Sequence, residues 1–117
     1  RIPLHIALLN EYSLEIIKLL ITPKALTMLF GNKTPVYIAV ESGADIEIVK
    51  LLATPETLTM VDYYGLTPLH LASIIGCSYE IIKLLITPEA LTMVDDYGKT
   101  PFNYYTSRRK VDGRIIE

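Results

Sequence analysis

The sequence predicts an all-α solenoid of stacked helix-turn-helix units joined by turn or hairpin loops. Three observations carry this prediction. Ile2-Pro3-Leu4-His5-Ile6-Ala7 returns as Thr34-Pro35-Val36-Tyr37-Ile38-Ala39, as Thr67-Pro68-Leu69-His70-Leu71-Ala72 and, worn, as Thr100-Pro101-Phe102-Asn103-Tyr104-Tyr105. The motif prolines Pro3, Pro35, Pro68 and Pro101 stand 32, 33 and 33 residues apart. A period near 33 marks repeats that are each too small to bury an apolar face alone and must stack. The third observation is a second block, Ser13-Leu14-Glu15-Ile16-Ile17-Lys18-Leu19-Leu20, with copies from Asp45 and from Ser78. We divide the chain into repeats at about 1–28, 29–60 and 61–93 and a partial fourth at 94–117, forming one domain over 1–117.

Within each repeat, Thr-Pro predicts a helix start. The Thr hydroxyl accepts from a free N–H, and proline at the first helical position gives up an N–H that would be unpaired anyway. The first helix is short. In repeat 3 it runs from about Pro68 to Ile75 and meets Gly76, and repeat 2 has Gly43 at the same place. Glycine suits the left-handed end of a helix. Glu11 and Arg109 hold that slot in repeats 1 and 4, so looser or shifted ends are expected there. Ala7, Ala39 and Ala72 recur inside the first helix, where neighbours approach closely, and Tyr105 takes this place in repeat 4.

The second block predicts the second helix. Ser13, Asp45 and Ser78 are N-cap residues, and the paired charges Glu15/Lys18, Glu47/Lys50 and Glu80/Lys83 leave one narrow stripe for water. This ladder is expected to be a solvated face of weak ion pairs. Thr-Pro follows again at Thr22, Thr54 and Thr87; it ends that helix and can start one more short turn. Asp62-Tyr63-Tyr64-Gly65 and Asp95-Asp96-Tyr97-Gly98 then read as tight turns. Repeat 2 has the shorter Phe30-Gly31-Asn32-Lys33, which accounts for its 32-residue spacing.

Asp62, Gly65, Thr67, Pro68, Leu69, His70, Ala72, Gly76, Leu84 and Leu85, at this period, resemble the ankyrin repeat. The resemblance covers the whole chain. One departure recurs: Pro-x-(Ala/Thr)-Leu-Thr stands at 23–27, 55–59 and 88–92, where the family usually has Gly-Ala-Asp-Val-Asn. The length is kept, so the register is expected to hold. The resemblance implies that His70 bonds near Thr67 and links neighbouring loops. It also implies that the loop tips and the exposed side of the first helix line a concave groove that contacts partners. In this chain those slots hold Tyr63, Tyr64, Leu66, Ile74 and Ile75, flanked by Phe30 and Tyr97. Polar residues are the usual occupants of exposed tips, and contiguous exposed apolar surface marks an interaction site.

Bulk properties limit the other classes. A formal charge of −2 gives no general attraction to nucleic acid or anionic membrane. No apolar run reaches the ~18 residues of a membrane span. Apolar content of 50% and a mean hydropathy of +0.34 fit an open solenoid with uncovered ends or an apolar binding face. Cys77 is the single cysteine, so no internal disulfide is possible and a reducing, cytoplasmic or nuclear, compartment is expected. His5 and His70, the two histidines, stand two repeats apart, roughly 20 Å at helix spacings of 8–10 Å, far beyond a shared metal ion. Neither has a nucleophile tied to it by any motif, and Cys77 has no activating partner. Arg108, Arg109, Lys110 and Arg114 form the one basic cluster, a weak candidate for a nuclear-localisation or nucleic-acid patch.

The expected function is a protein-interaction module that binds a partner through its concave face. The alternative is a regulatory or spacer segment packing on another domain of a longer protein. We expect no enzymatic activity, cofactor, metal or small-molecule substrate. Membrane and nucleic acid are not expected partners. The expected state is a monomer, or a weak self-associate through open repeat ends. The chain opens at the Thr-Pro motif and closes on a fragment of a second helix, so we expect it to be a piece of a longer array.

Overall fold

A computed structural model describes residues 4–110, with side chains as far as Thr106. Ile2, Pro3, the basic side chains at 108–110, Arg114 and the helix fragment at 111–117 fall outside the described residues. The first helices of the four repeats are α1 (Leu4–Leu9), α4 (Pro35–Ser42), α6 (Pro68–Ile75) and α9 (Pro101–Lys110). The second helices are α2 (Leu14–Leu20), α5 (Ile46–Leu52) and α7 (Tyr79–Leu85). The Thr-Pro segments form α3 (Pro23–Thr27), α8 (Pro88–Thr92) and, in repeat 2, a 3-10 turn at Thr57–Thr59. There is no strand among the described residues. The array is elongated, 48 × 24 × 22 Å, as units stacked in one dimension must be.

Local chemistry explains each start. Thr34, Thr67 and Thr100 accept the backbone N–H of Tyr37, His70 and Asn103 at 3.3, 3.1 and 3.3 Å. Ser13 and Ser78 cap α2 and α7. Asp45 departs from expectation: its backbone is extended as in a cap, but its side chain makes no cap hydrogen bond. Thr22 and Thr87 cap α3 and α8, so the recurrent Pro-x-Ala-Leu-Thr is a third helical turn. Repeat 2 has Thr57 where its neighbours have Ala25 and Ala90. The buried Thr57 hydroxyl accepts the Thr54 N–H at 2.9 Å and lies 3.2 Å from the Leu52 carbonyl, and here the segment tightens to 3-10.

The ends of the first helices correct one expectation. Glu11 does not loosen its helix. It adopts φ +57°, and Tyr12 N–H bonds back to the Ala7 carbonyl at 3.0 Å. Ala44 to Ala39 and Cys77 to Ala72 repeat that bond at 2.9 and 3.0 Å, over Gly43 and Gly76. A non-glycine residue therefore performs the glycine task, at a local cost of roughly 1–2 kcal/mol for a left-handed L-residue. In repeat 4 the end is shifted as expected, for α9 continues through the Arg109 position to ten residues.

Stacking buries the first helices most. Ala7, Ala39 and Ala72 are fully buried at the close approaches of α1 to α4, of α4 to α6 and of α6 to its other neighbours. All of Pro35–Val40 is buried because α4 is covered from both sides. Burial falls away at the ends. Ile16 and Leu19 on α2 are 40% and 78% exposed, and Tyr79 on α7 is 67% exposed, so the water-facing stripe there is wider than the Glu/Lys pairs alone. Tyr105, in the slot of the recurrent alanines, is half-buried, and α9 packs on α6.

Glu11→Gly should raise stability, by about 0.5–1 kcal/mol once the extra freedom of an unfolded glycine is deducted from the relief of strain. Chemical denaturation of the two proteins measures this; an unchanged or lower midpoint contradicts it.

Candidate functional site

The slot held by His5, Tyr37, His70 and Asn103 in the first helices, three residues after the capping Thr in repeats 2, 3 and 4, decides how repeats are joined. In repeat 3 it is His70, fully buried. Its Nδ1 accepts the Thr67 N–H at 3.2 Å and lies 2.9 Å from the Thr67 hydroxyl. Since Nδ1 accepts, Nε2 carries the proton and donates to the Lys99 carbonyl, at 2.9 Å, in the turn of repeat 4. This is the Thr-linked, loop-joining role expected for it. In repeat 2 the slot is Tyr37, whose hydroxyl donates to Asp62 Oδ2 at 2.5 Å, in the turn of repeat 3. In repeat 1 it is His5, whose ring stacks on Phe30 with centroids 3.9 Å apart. In repeat 4 it is Asn103, which accepts the Thr100 N–H at 2.9 Å. Each of the first three slots thus reaches the turn of the next repeat by a different contact.

The turns themselves are built on aspartate. Asp62 Oδ1 accepts the N–H groups of Tyr64 and Leu66, at 2.8 and 3.0 Å. Asp95 Oδ1 accepts those of Tyr97 and Lys99, both at 2.9 Å. Asp95 Oδ2 takes a short hydrogen bond from the Tyr104 hydroxyl. Burial alone would raise the Asp95 pKa; the hydrogen bonds from Tyr104, Lys99 and Tyr97, aided by nearby His70, outweigh it and hold the carboxyl below its usual range. The same contacts push the Tyr104 phenol up to about 12, burial being the largest cause and the Asp95 hydrogen bond the next. Tyr37 is likewise pushed well above the usual phenol range by burial, the Asp62 bond and the Asp62 and Glu41 charges.

These bonds fix the loop tips and leave the tip rings in water. Tyr63, Tyr64 and Tyr97 are 72%, 58% and 73% exposed. The tips of repeats 3 and 4 are tied together, for the Asp96 N–H donates to the Tyr64 carbonyl at 2.9 Å. Gly65 permits this approach. A Cβ there would stand 3.0 Å from Asp96 Oδ1 and 3.2 Å from backbone atoms of Asp95 and Asp96, and its φ is +78°. The turn of repeat 2 stands differently. Phe30 pairs with Lys33 in an isolated bridge and stacks on His5, leaving it 49% exposed.

Of the predicted contact residues, Ile74 and Ile75 lie on the exposed end of α6 at 39% and 42% exposure. Leu66 differs from expectation. It is half-buried against the core, because its N–H is drawn in by Asp62 and its carbonyl accepts the Asp62 N–H at 3.0 Å. Sequence reasoning missed Leu29, Val61 and Val94, which are 53%, 40% and 56% exposed at equivalent positions entering the turns. Their recurrence after Met28, Met60 and Met93 was the available signal. The Glu/Lys ladder is exposed but makes no ion pairs. Among the described residues the ion pair is Lys33 to Glu41, at 2.9 Å. A gap of three puts Glu and Lys on one helix face without bringing their ends within 4 Å here.

Among the described residues no three His, Cys, Asp or Glu side chains gather as a metal site, and no helix is long and apolar enough to cross a membrane. Cys77, the single cysteine of the sequence, is half-buried. The arrangement offers exposed aromatic and aliphatic side chains on braced turns, which suits binding.

The Asp95 turn makes stability acid-sensitive. Its pKa is lower folded than unfolded, so its contribution is present above the unfolded value, about 4, and is lost as pH falls through the folded value. Asp95→Asn should therefore be less stable than the parent at pH 6, with the gap closing toward pH 2.5. Urea midpoints across that range test it; a pH-independent gap contradicts it.

No curated protein sequence matches this chain significantly. The family model described as ankyrin repeats (3 copies) matches residues 4–96. Such repeats are in general protein–protein interaction modules and typically carry no catalysis. With that match over most of its length, and with the repeat-by-repeat geometry described above, the chain belongs to the ankyrin-repeat family.

Proposed function

We propose that this protein is an interaction module that binds a partner protein through the loop tips and the exposed end of α6. The contact surface centres on Tyr63, Tyr64, Ile74 and Ile75, with Tyr97 and Phe30 flanking it and Leu66 supporting it from beneath. One observation carries the reading: large apolar side chains stand in water on turns already rigid. Every backbone N–H that the Asp62 and Asp95 side chains bind is in a turn that carries one of these tyrosines. A partner burying the rings gains apolar area without first ordering the loop, and loop ordering is a principal cost of association. Tyrosine adds few rotatable bonds and is enriched among hot spots.

The second reading, a segment packed on another domain of a longer protein, is favoured by the open face of α2. Leu19 at 78% exposure is the most exposed large apolar side chain described. The two readings differ in the surface that carries them and in the identity of the covering chain. We propose an intracellular, cytoplasmic or nuclear, location, since a chain with a single cysteine has no internal disulfide and fits a reducing compartment.

Tyr64→Ala and Ile75→Ala should each weaken binding of a captured partner by about 2 kcal/mol while leaving thermal stability nearly unchanged. Glu80→Ala, on the ladder, should leave binding as it was. The assignment fails if the ladder substitution is the damaging one, or if Tyr64→Ala unfolds the array.

We also infer that the module has no chemistry of its own. Both ring nitrogens of His70 are engaged in holding repeats together, which supports a structural role over a basic one. Substituting His70 should lower stability and abolish no turnover. A reaction catalysed by the purified chain and lost in His70→Ala, under conditions where that variant stays folded, refutes this.

A further inference from the structure

We propose that Tyr37, a buried residue of repeat 2, is the positioning residue of the contact surface: its hydroxyl holds the turn that presents Tyr63 and Tyr64 in repeat 3. The inference rests on the tip reading above. It adds a residue that a partner does not touch, for Tyr37 is only 4% exposed.

The turns of repeats 3 and 4 are built alike and held differently. Asp62 Oδ1 and Asp95 Oδ1, 33 residues apart, each accept two N–H groups of their own turn. The other oxygen decides what holds the carboxylate, and the turn with it, from outside. In repeat 4, Asp95 Oδ2 is taken by the Tyr104 hydroxyl, from the first helix of the same repeat. The link to the preceding repeat is a separate bond, from His70 Nε2 to the Lys99 carbonyl. Two side chains divide the two tasks.

Repeat 3 lacks that division. The residue equivalent to Tyr104 is Leu71, which has no proton to donate. Tyr37 therefore performs both tasks through one bond, 2.5 Å long, to Asp62 Oδ2. Among the described residues no other donor bonds to that oxygen.

The phenol is itself held in place. Tyr37 is buried in α4, and the Lys33 ammonium stands 5.7 Å from its ring centroid, fixed by Glu41 at 2.9 Å. A hydroxyl on a fixed ring offers Asp62 one direction of approach. The effect passes on, because the Tyr64 carbonyl accepts the Asp96 N–H and so ties the tip of repeat 4 to that of repeat 3. Without the Tyr37 bond, Asp62 keeps its two turn amides and loses its outer anchor. The tip then samples conformations that a partner must order at a cost in affinity.

The test is made on the free full chain, so it is read separately from the Tyr64→Ala binding measurement that judges the tip reading. Amide exchange is followed by NMR at Tyr64 and Leu66, with Tyr97 and Lys99 as the matched pair in the Asp95 turn. Tyr37→Phe should speed exchange at Tyr64 and Leu66 roughly tenfold and leave Tyr97 and Lys99 unchanged. Tyr37→His separates the two tasks. An imidazole at that position can donate to the Leu66 carbonyl as His70 does to that of Lys99, so the array should stay folded while the turn loosens as in Tyr37→Phe. Adding Leu71→Tyr to Tyr37→His copies the joint between repeats 3 and 4, and should return Tyr64 and Leu66 to parental exchange. Circular dichroism checks that each variant is folded. Equal acceleration at all four amides, as general loosening of the array gives, overturns the proposal. Unchanged exchange at Tyr64 and Leu66 in the single variants does so too, as does local acceleration that the folded double variant fails to reverse.

Discussion

Each joint of this array closes through one side chain of the first helix, His5, Tyr37 or His70. A short first helix cannot persist alone, and its two turns have little area with which to hold a neighbour. The side chain at that slot reaches across the gap to the next turn. His70 does so with a proton on Nε2 while Nδ1 closes the cap behind it, so one ring satisfies both its own helix and the following repeat. Tyr37 reaches as far with a hydroxyl and finds a carboxylate. His5 makes its contact by stacking. The requirement is reach and a partner, and three chemistries meet it.

The carboxylates that receive or replace these contacts do a second task. Asp62 and Asp95 each gather two backbone N–H groups of their own turn. Asp62 spends its other oxygen on the preceding repeat, and Asp95 on Tyr104 of its own. Joint and tip are therefore coupled. The bond that holds repeat 2 to repeat 3 also holds the turn that presents Tyr63 and Tyr64. Among the described residues no buried side-chain nitrogen or oxygen lacks a partner, so this polar network is closed, which is the condition for its being stabilising.

The exposed apolar surface falls in two places with different origins. At the tips, the tyrosines are exposed because the turn bonds use backbone and aspartate atoms and leave the rings no interior to enter. At the two ends of the array, Leu19, Tyr79, Ile86 and Phe102 are exposed because the positions they occupy are covered elsewhere by a neighbouring repeat. The first exposure is a property of one turn; the second is a property of stacking. Only the first is independent of what the chain is joined to.

The repeat period, the helix starts and the small alanines were legible in the sequence, because each rests on short-range chemistry that a few adjacent residues settle. Thr-Pro sets a cap wherever it stands, and Ala7, Ala39 and Ala72 mark a close approach by their size alone. The aromatic tips were legible too, since nothing local could bury them. Other features needed the folded geometry. Glu11 reads as a poor helix end, yet it takes the left-handed form and the Tyr12 N–H closes onto the Ala7 carbonyl. Leu66 reads like Tyr64, but its amide is captured by Asp62 and its side chain turns inward. The Glu/Lys ladder has the spacing of ion pairs, and side-chain reach leaves them open. Phe30 reads as a free tip and lies stacked on a histidine of the repeat before it. The Phe30 stack and the links from Tyr37 and His70 depend on contacts between residues 25 and 29 apart in the chain, whose free energy no local pattern records; only the tertiary structure, by bringing one repeat against the next, decides them.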